Sequence, residues 1–243
     1  MNQKKSQNLM YGELAPYYDI IYQWKNYQAE CRKLHRLITK YKKSPGKRLL
    51  DVACGTGEHL KYLREHYDVT GLDFSPAMLK LARRKLPDLT FVRGNMLSFH
   101  LRTKFDLMLC LFSAIAHLQN YSNLHQALRN FSSHLVSGGV LLIEPFVSKE
   151  KFMTGMIHSL TQSAGGVTVT RMNASRRRGN LAILDFHFLV GTRQGVRYYK
   201  DLHILGLFDP KRFVQMLEQE GFHARFLKNG LMKDRGLFVA VKD

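Results

Sequence analysis

The stretch RLLDVACGTGEHL, Arg48 to Leu60, decides how the rest of the chain is read. Leu49–Val52 is a short apolar run of the kind that forms a buried strand. Gly55 and Gly57 make a tight turn. From Gly57 to His66 the chain reads as helix, with Leu60 and Leu63 facing inward. Strand, glycine turn and helix open an α/β sheet, and ligands in such sheets sit outside the carboxyl ends of the strands. The turn is therefore the first binding element to consider.

What it holds is narrowed by what it lacks. A dinucleotide fingerprint needs G-x-G-x-x-G, and the third glycine position here is Leu60. A P-loop needs Gly-Lys-Ser/Thr, which is absent. Both phosphate cradles lose ground. A Gly-Thr-Gly turn suits a ligand pressed against backbone that carries no pyrophosphate, and S-adenosylmethionine is such a ligand.

Working outward, an alternation follows. Val69–Leu72 is a second strand ending at Asp73, and Ser75-Pro76 gives an N-cap and a first helical proline. Leu89–Arg93 and Phe105–Leu111 are further strands. Ser122–Leu135 is a helix with Leu124, Leu128, Phe131 and Leu135 on one face, and Val140–Ile143 is a fifth strand. This order predicts a mostly parallel sheet with helices on both faces. Before it, residues 11–42 place Tyr18, Ile21, Tyr22, Leu34 and Ile38 at helical spacing and predict an N-terminal helical cover; residues 1–10 read as a frayed end.

After Phe146 the pattern changes. Lys149–Leu160 reads as a helix. Strand-like stretches at Gly166–Met172, Leu181–Val190 and Val196–Leu205, joined by RRRGN and GTRQG, predict an antiparallel insertion over 163–206 that acts as lid or platform. Asp209-Pro210 opens a helix closed by Gly221. Two last strands, His223–Leu227 and Gly236–Val241, complete the core over 207–243, the final one antiparallel. The cofactor-binding core proper spans 49–146, and all parts form one domain.

Bulk properties agree. The 243 residues suffice for a real core, and 45% are apolar. No run approaches a membrane span, and the N-terminus lacks the apolar segment of a secretory signal. Cys31, Cys54 and Cys110 have no C-x-x-C spacing, which argues against a zinc site or disulfide framework and for a reducing, cytoplasmic compartment. Lys plus Arg is 37 against 19 Asp plus Glu, a net charge of +18 that favours anionic partners. Nucleic acid, a nucleotide-linked metabolite, an anionic membrane surface or mere solubility each fit that charge.

LLDVACGTGEHL, VTGLDFSPAMLKLARRKLP, FVRGNM and FDLMLCLFSAIAHL together resemble the motifs of class I S-adenosylmethionine-dependent methyltransferases, which have a Rossmann-like, seven-stranded sheet. The chain is more specifically similar to the N,N-dimethyltransferases of nucleotide-linked amino-deoxysugars. That likeness extends to YYDIIY, GGVLLIEPF, the HFLV…GVRYYKDLHILGLF hairpin and RGLFVAV. The resemblance implies that Ala53, Gly55, Thr56, Gly57, Asp73, Phe74, Met78, Asn95, Met96 and Leu111 surround the cofactor. It implies a substrate site of Tyr18, Tyr27, His117 and Arg235, with Tyr18 and His117 at the chemistry, no metal, and a homodimer. Asn95 stands where the family usually has Asp, so an adenine contact would use its amide oxygen. The segment between Tyr18 and Tyr27 is shortened.

Physical chemistry assigns roles to these positions. Asp73, ending the second strand, can accept bonds from two ribose hydroxyls. Methyl transfer requires a neutral nucleophile aligned about 3 Å from the methyl carbon. His117 follows the fourth strand and, at an ordinary pKa of about 6.5, can take a proton. Arg235 suits a diphosphate through its planar fork. Arg176, Arg177 and Arg178 could do the same or form a solvated hairpin tip; Cys54 reads as a packed small residue; Glu144 faces the site or serves structure. The expected reaction is N-methylation of an anionic nucleotide-diphospho-amino-sugar, yielding S-adenosylhomocysteine. An RNA methyltransferase fits the charge, but the fourth strand ends without an Asn/Asp-Pro-Pro-aromatic motif. A methyltransferase of another small amine and a non-catalytic cofactor-binding subunit are the remaining alternatives.

Overall fold

The computed structural model describes residues 8–243. The chain enters through two 3-10 turns, Leu9–Tyr11 and Ala15–Tyr17, then α1 (Tyr18–Ile21) and α2 (Tyr27–Tyr41). Next come β1 (Arg48–Val52), α3 (Leu60–Leu63), β2 (Asp68–Asp73), α4 (Pro76–Lys85), β3 (Thr90–Arg93), β4 (Phe105–Cys110), α5 (Tyr121–Ser133) and β5 (Leu135–Ile143). Four strands follow without an intervening helix: β6 (Ile157–Ala164), β7 (Val167–Arg178), β8 (Leu181–Thr192) and β9 (Gly195–Gly206). Then α6 (Pro210–Gln219), β10 (Phe222–Leu227) and β11 (Leu237–Lys242) close the chain.

The caps explain where the helices begin. Ser75 and Asp209 each accept the backbone N–H three residues on, and proline fills the first helical position after both. The main sheet has seven strands in the order β10-β11-β5-β4-β1-β2-β3. Strands β1 to β5 pair in parallel, and β11 runs antiparallel to both its neighbours. The strand order reverses between β1 and β4, where an open α/β sheet binds its ligand.

The two-residue period of β1 and β4 splits the core. Leu50, Val52, Met108 and Cys110 pack with Leu124, Leu128 and Phe131 of α5 and Phe213 and Leu217 of α6. Leu49, Leu107 and Leu109 pack with Leu34 and Ile38 of α2, Leu63 of α3 and Leu79 of α4.

The second sheet, β6-β7-β8-β9, is wholly antiparallel. On β8, Ala182, Leu184, Phe186, Phe188 and Val190 are buried while the residues between them are more exposed. Met10, Leu14 and Ile21 pack onto that buried face. The N-terminal segment up to α1 therefore covers the platform, while α2 packs on the main sheet. The segment's entry is mostly 3-10 turns around Gly12 and Pro16, and the helices within residues 11–42 are α1 and α2.

The helix expected at Lys149–Leu160 is a turn followed by β6. Gly155 adopts φ 77°, which an α-helix does not allow. Gly165 and Gly166, at φ 59° and 77°, make the two-residue hairpin that pairs β6 with β7. The insertion thus begins at Ile157, six residues before the expected start at 163. Strand β6 is an edge strand, mostly polar and exposed, so it lacks the apolar alternation that reveals a strand in sequence.

Candidate active site

The glycine turn after β1 is held open by backbone geometry. Ala53 and Gly55 sit in the left-handed region at φ 61° and 57°. The Cys54 N–H donates to the Leu72 carbonyl at 3.0 Å and ties the turn to β2. A Cβ built on Gly55 meets nothing within 4 Å, so this glycine faces open space. Gly57, at φ 81°, is different: its Cβ would press on Leu86 and Phe91 at 3.2 and 3.5 Å. It serves close packing and lines no cavity.

That open space is a cleft of about 680 Å³. It runs over Val52, Ala53 and Gly55 to Asp73, Phe74 and Met78, with Leu72, Met96 and Leu111 as apolar walls. At the end of β2, Asp73 Oδ2 accepts the Gly55 N–H and Oδ1 accepts the Ser75 N–H, both at 2.8 Å. Each oxygen keeps a further lone pair for a ligand hydroxyl. Burial pushes the Asp73 carboxyl up, partly offset by these backbone bonds. Phe74 is 65% exposed at the rim, with the Arg93 guanidinium 5.9 Å from its ring centre.

Beneath the turn, a small recess is lined by Tyr18, Tyr27, Asp51, Thr56 and His59. Asp51 is buried, and desolvation first and Asp73 second push its carboxyl up to about 8. Thr56 donates to Asp19 at 2.6 Å. Cys54 is packed in the core, and burial raises its thiol well above the ordinary range. The recess wall continues into a buried cluster in which Glu30 bonds both Lys25 and His59.

A second cavity, of about 800 Å³, lies between the main sheet and the platform. Tyr11, Tyr18, Phe112 and His117 line both this cavity and the cofactor cleft, so they form the junction. The junction rests on a strained turn. Phe112 and Ser113 follow β4 at φ 52° and 64°, a conformation that side chains disfavour. Glu144 Oε2 accepts the Phe112 N–H at 2.7 Å, and Arg235 donates to Ser113 Oγ at 2.9 Å. The Arg235 guanidinium lies 5.4 and 5.5 Å from the rings of Phe112 and Phe146. Glu144 lines neither cavity and is fully buried; it pins the turn.

These features meet known proteins at every level. Residues 49–139 match the family described as "Methyltransferase domain". Over 234 residues the chain is 36% identical to the dTDP-3-amino-3,6-dideoxy-alpha-D-glucopyranose N,N-dimethyltransferase of Streptomyces fradiae, covering 95% of this chain and 91% of that one. The chain belongs to the S-adenosylmethionine-dependent N,N-dimethyltransferases of nucleotide-linked amino-deoxysugars.

This methyltransferase is also 35% identical over 231 residues to the dTDP-3-amino-3,4,6-trideoxy-alpha-D-glucopyranose N,N-dimethyltransferase of Streptomyces venezuelae, covering 93% and 97% of the two chains. The solved structure of Streptomyces venezuelae DesVI superposes with a TM-score of 0.89 at 34% identity, covering 95% of this chain and 98% of that one. An amino pentose methyltransferase from Micromonospora echinaspora, solved with S-adenosylmethionine bound, gives 0.82 at 32% identity, covering 95% and 96%. The cleft fits that ligand: an open glycine cradle, a carboxylate with spare lone pairs at the strand end, and apolar walls.

Of the residues expected around the cofactor, Ala53, Gly55, Asp73, Phe74, Met78, Met96 and Leu111 line the cleft of the methyltransferase. Thr56 lines the recess below. Asn95 is exposed, and its Oδ1 accepts the Leu97 N–H at 3.0 Å, so it builds the turn after β3 and lies outside the cleft lining. Tyr18, His117 and Arg235 meet at the second cavity, whereas Tyr27 lines the recess, edge-on to His59. Arg176, Arg177 and Arg178 are exposed at the end of β7 and line no cavity described above.

Sequence reading missed several lining residues. Tyr11 lies next to the expected frayed end, yet its hydroxyl is 3.1 Å from His117 Nε2 and its carbonyl accepts from Ser75. The platform contributes most. Odd residues of β7 and β9 share one face with even residues of β8, so Arg171, Asn173, Ser175 and His203 reach the cavity alongside Leu184 and Phe186. The signal was there: these are polar residues on the face whose partners are apolar. It needed the cross-strand register to be read.

Proposed function

We propose that this methyltransferase N-methylates the amino group of a nucleotide-diphospho-amino-deoxysugar. The observation that carries the reading is the pair of cavities sharing one aromatic junction. The second cavity is lined by Lys151, Arg171, Lys233 and Arg235, with Asp234 as its acidic member. Arg171 donates to the Tyr22 hydroxyl at 3.2 Å, and its buried Nε has no partner among the described residues. Arg171 lines the cavity, and a guanidinium there suits a phosphate oxygen. The inward Asn173 and Ser175 suit sugar or base hydrogen bonding.

Bound S-adenosylmethionine supplies an activated methyl group and leaves as the thioether S-adenosylhomocysteine. The chain's own part is to bind and orient. Tyr11, Tyr18 and Phe112 offer aromatic faces at the junction, where a sulfonium charge is favoured. The closed junction aligns nucleophile and methyl, which accounts for much of such a rate enhancement. Burial, and then the neighbouring His203, push His117 down to about 4, so it is uncharged at neutral pH and orients the amine without storing its proton.

We also propose a homodimer and a cytoplasmic location. The outer face of the platform leaves Ile157, Met172, Leu189, Val196 and Tyr198 exposed, which supports a second copy covering it. Cys31, Cys54 and Cys110 are free and buried, which supports a reducing compartment. No helix among the described residues is long and apolar enough to cross a membrane. Nucleic acid remains the second reading of the positive charge, with a cavity between main sheet and platform favouring a small molecule. The test is incubation with methyl-labelled S-adenosylmethionine and separate pools of nucleotide amino-sugars, small amines and total RNA. Label in the nucleotide-sugar pool is expected. Label only in RNA or in other amines overturns the reading.

A further inference from the structure

A second histidine stands behind His117. His203 is 6% exposed, lines the second cavity and packs with its ring centre 5.6 Å from that of His117 and 5.5 Å from that of Tyr11. Its Nε2 is 2.9 Å from Oδ2 of Asp201, which is fully buried. The same Oδ2 accepts the Met10 N–H at 2.9 Å. An ionised carboxylate only accepts hydrogen bonds, so Nε2 carries a proton, and in the neutral ring Nδ1 is the bare lone pair. Nδ1 has no hydrogen-bond partner among the described residues.

We propose that His203, oriented by Asp201, takes the proton released from the acceptor amine during methyl transfer. This rests on the reading of the enzyme as an amine methyltransferase. The amine nitrogen lone pair forms the new N–C bond while the S–C bond breaks and its electron pair goes to sulfur. The nitrogen is then cationic, and its N–H proton passes to His203 Nδ1. The imidazolium formed is paired with the Asp201 carboxylate and returns its proton to solvent when product leaves. No co-reactant is needed. A second methylation needs the same removal, since the monomethylated nitrogen must again be neutral to attack.

Three observations support the assignment. Asp201 Oδ1 is buried without a partner, and an under-bonded buried carboxylate gains most from a new neighbouring cation. Although burial works to raise it, bonds from His203 and Met10 N–H keep the Asp201 carboxyl below the usual carboxylate range, so it stays ionised. His117, by contrast, has no carboxylate partner; its ring meets the Tyr11 hydroxyl. The charged and titratable groups around His203 are Asp201 on its own strand, His117 from the turn after β4, Tyr11 from the N-terminal segment, and Arg171 of β7 across the Phe186 ring. Asp201 is the acidic member, and it is the one bonded to the ring.

The test uses the full-length enzyme with S-adenosylmethionine and a dTDP-amino-deoxysugar. His203→Asn is expected to lower kcat at pH 7 by on the order of a hundredfold, the usual scale of proton-transfer assistance. The loss should shrink as pH rises, because solvent then deprotonates the amine. Asp201→Asn can keep an oxygen for both Met10 N–H and His203 Nε2–H but removes the negative charge that pairs with the imidazolium. Without that charge the imidazolium is less favoured, which should give the same pH-rescued loss. Nitrogen-15 histidine NMR provides a readout independent of turnover: the parent His203 should show Nε2 protonated and Nδ1 unprotonated under turnover conditions. Cofactor affinity by calorimetry should be unchanged in both variants. Parent turnover with an undiminished, pH-parallel His203→Asn profile overturns this proposal alone. A protonated Nδ1 in the parent also overturns it. Absence of parent turnover with any amino-sugar overturns the substrate reading and this proposal together.

Discussion

The two cavities of this methyltransferase are built by opposite means. The cofactor cleft is built on strand ends: a glycine turn, the ends of parallel strands and one carboxylate, with Tyr11 and Tyr18 of the N-terminal segment added to its lining. The second cavity is made of side chains from the N-terminal segment, the turn after β4, the platform and the loop before β11. A parallel sheet delivers its strand ends to one place whatever the side chains are, so the first kind of site tolerates change everywhere except in its turns. The second kind depends on side chains held by register across the sheet.

The sharpest way to break this comparison is Asp73→Ala. Two ribose bonds to a charged acceptor would be lost, together with the bonds to Gly55 and Ser75 N–H that shape the turn. At about 1.5 kcal/mol or more per bond, cofactor affinity should fall by about a hundredfold or more in calorimetry. Unchanged affinity would remove Asp73 from the site. Next comes Arg171→Ala. KM for the nucleotide sugar should rise by about tenfold or more, the scale of one charge-assisted hydrogen bond, with cofactor affinity unaltered. Equal losses for both ligands would mean that the cavities are not separable.

A subtler test concerns pH. Asp51, in the floor of the cofactor side, has its carboxyl raised to about 8, while in the unfolded chain it titrates near 4. Between those values the folded state holds a proton that the unfolded state releases. The Asp51 contribution to stability is therefore fully present at low pH and is lost as pH rises toward about 8. Asp51→Asn stays neutral throughout, so its melting temperature should gain on the parent by a few degrees per pH unit from pH 5 to 8. A constant difference would show that Asp51 is already ionised. The smallest expected effect is on the exposed run Arg176–Arg178. Replacing Arg176 and Arg178 by alanine should leave both KM values within about twofold, since surface charges away from the cavity contribute little.

Legibility followed the same division. The caps at Ser75 and Asp209, the parallel core and the antiparallel last strand could all be read from local patterns. So could Ala53, Gly55, Asp73 and Leu111, because strand ends and turns announce themselves within a dozen residues. Gly57 and Asn95 belonged to the right motifs, yet one packs a helix and the other shapes a turn. Motif membership specifies where the backbone goes and does not say which residues line the cleft. The edge strand β6 was hidden because an exposed strand carries no apolar alternation. Arg171, Asp201 and His203 were hidden for another reason. Each looked like an ordinary polar residue in a strand until its partners across the sheet were known.

By itself the sequence determined the sheet, its glycine turn and the methyl donor that turn accepts. Those depend on short-range rules: apolar period, capping, and the few residues that tolerate a left-handed backbone. Only the tertiary structure decided that Tyr11 closes on His117, that Arg235 and Glu144 pin the turn at Phe112 and Ser113, and that Asp201 orients His203. Those contacts join residues far apart in the chain. Their geometry is set by the packing of the platform against the main sheet, which no local pattern encodes.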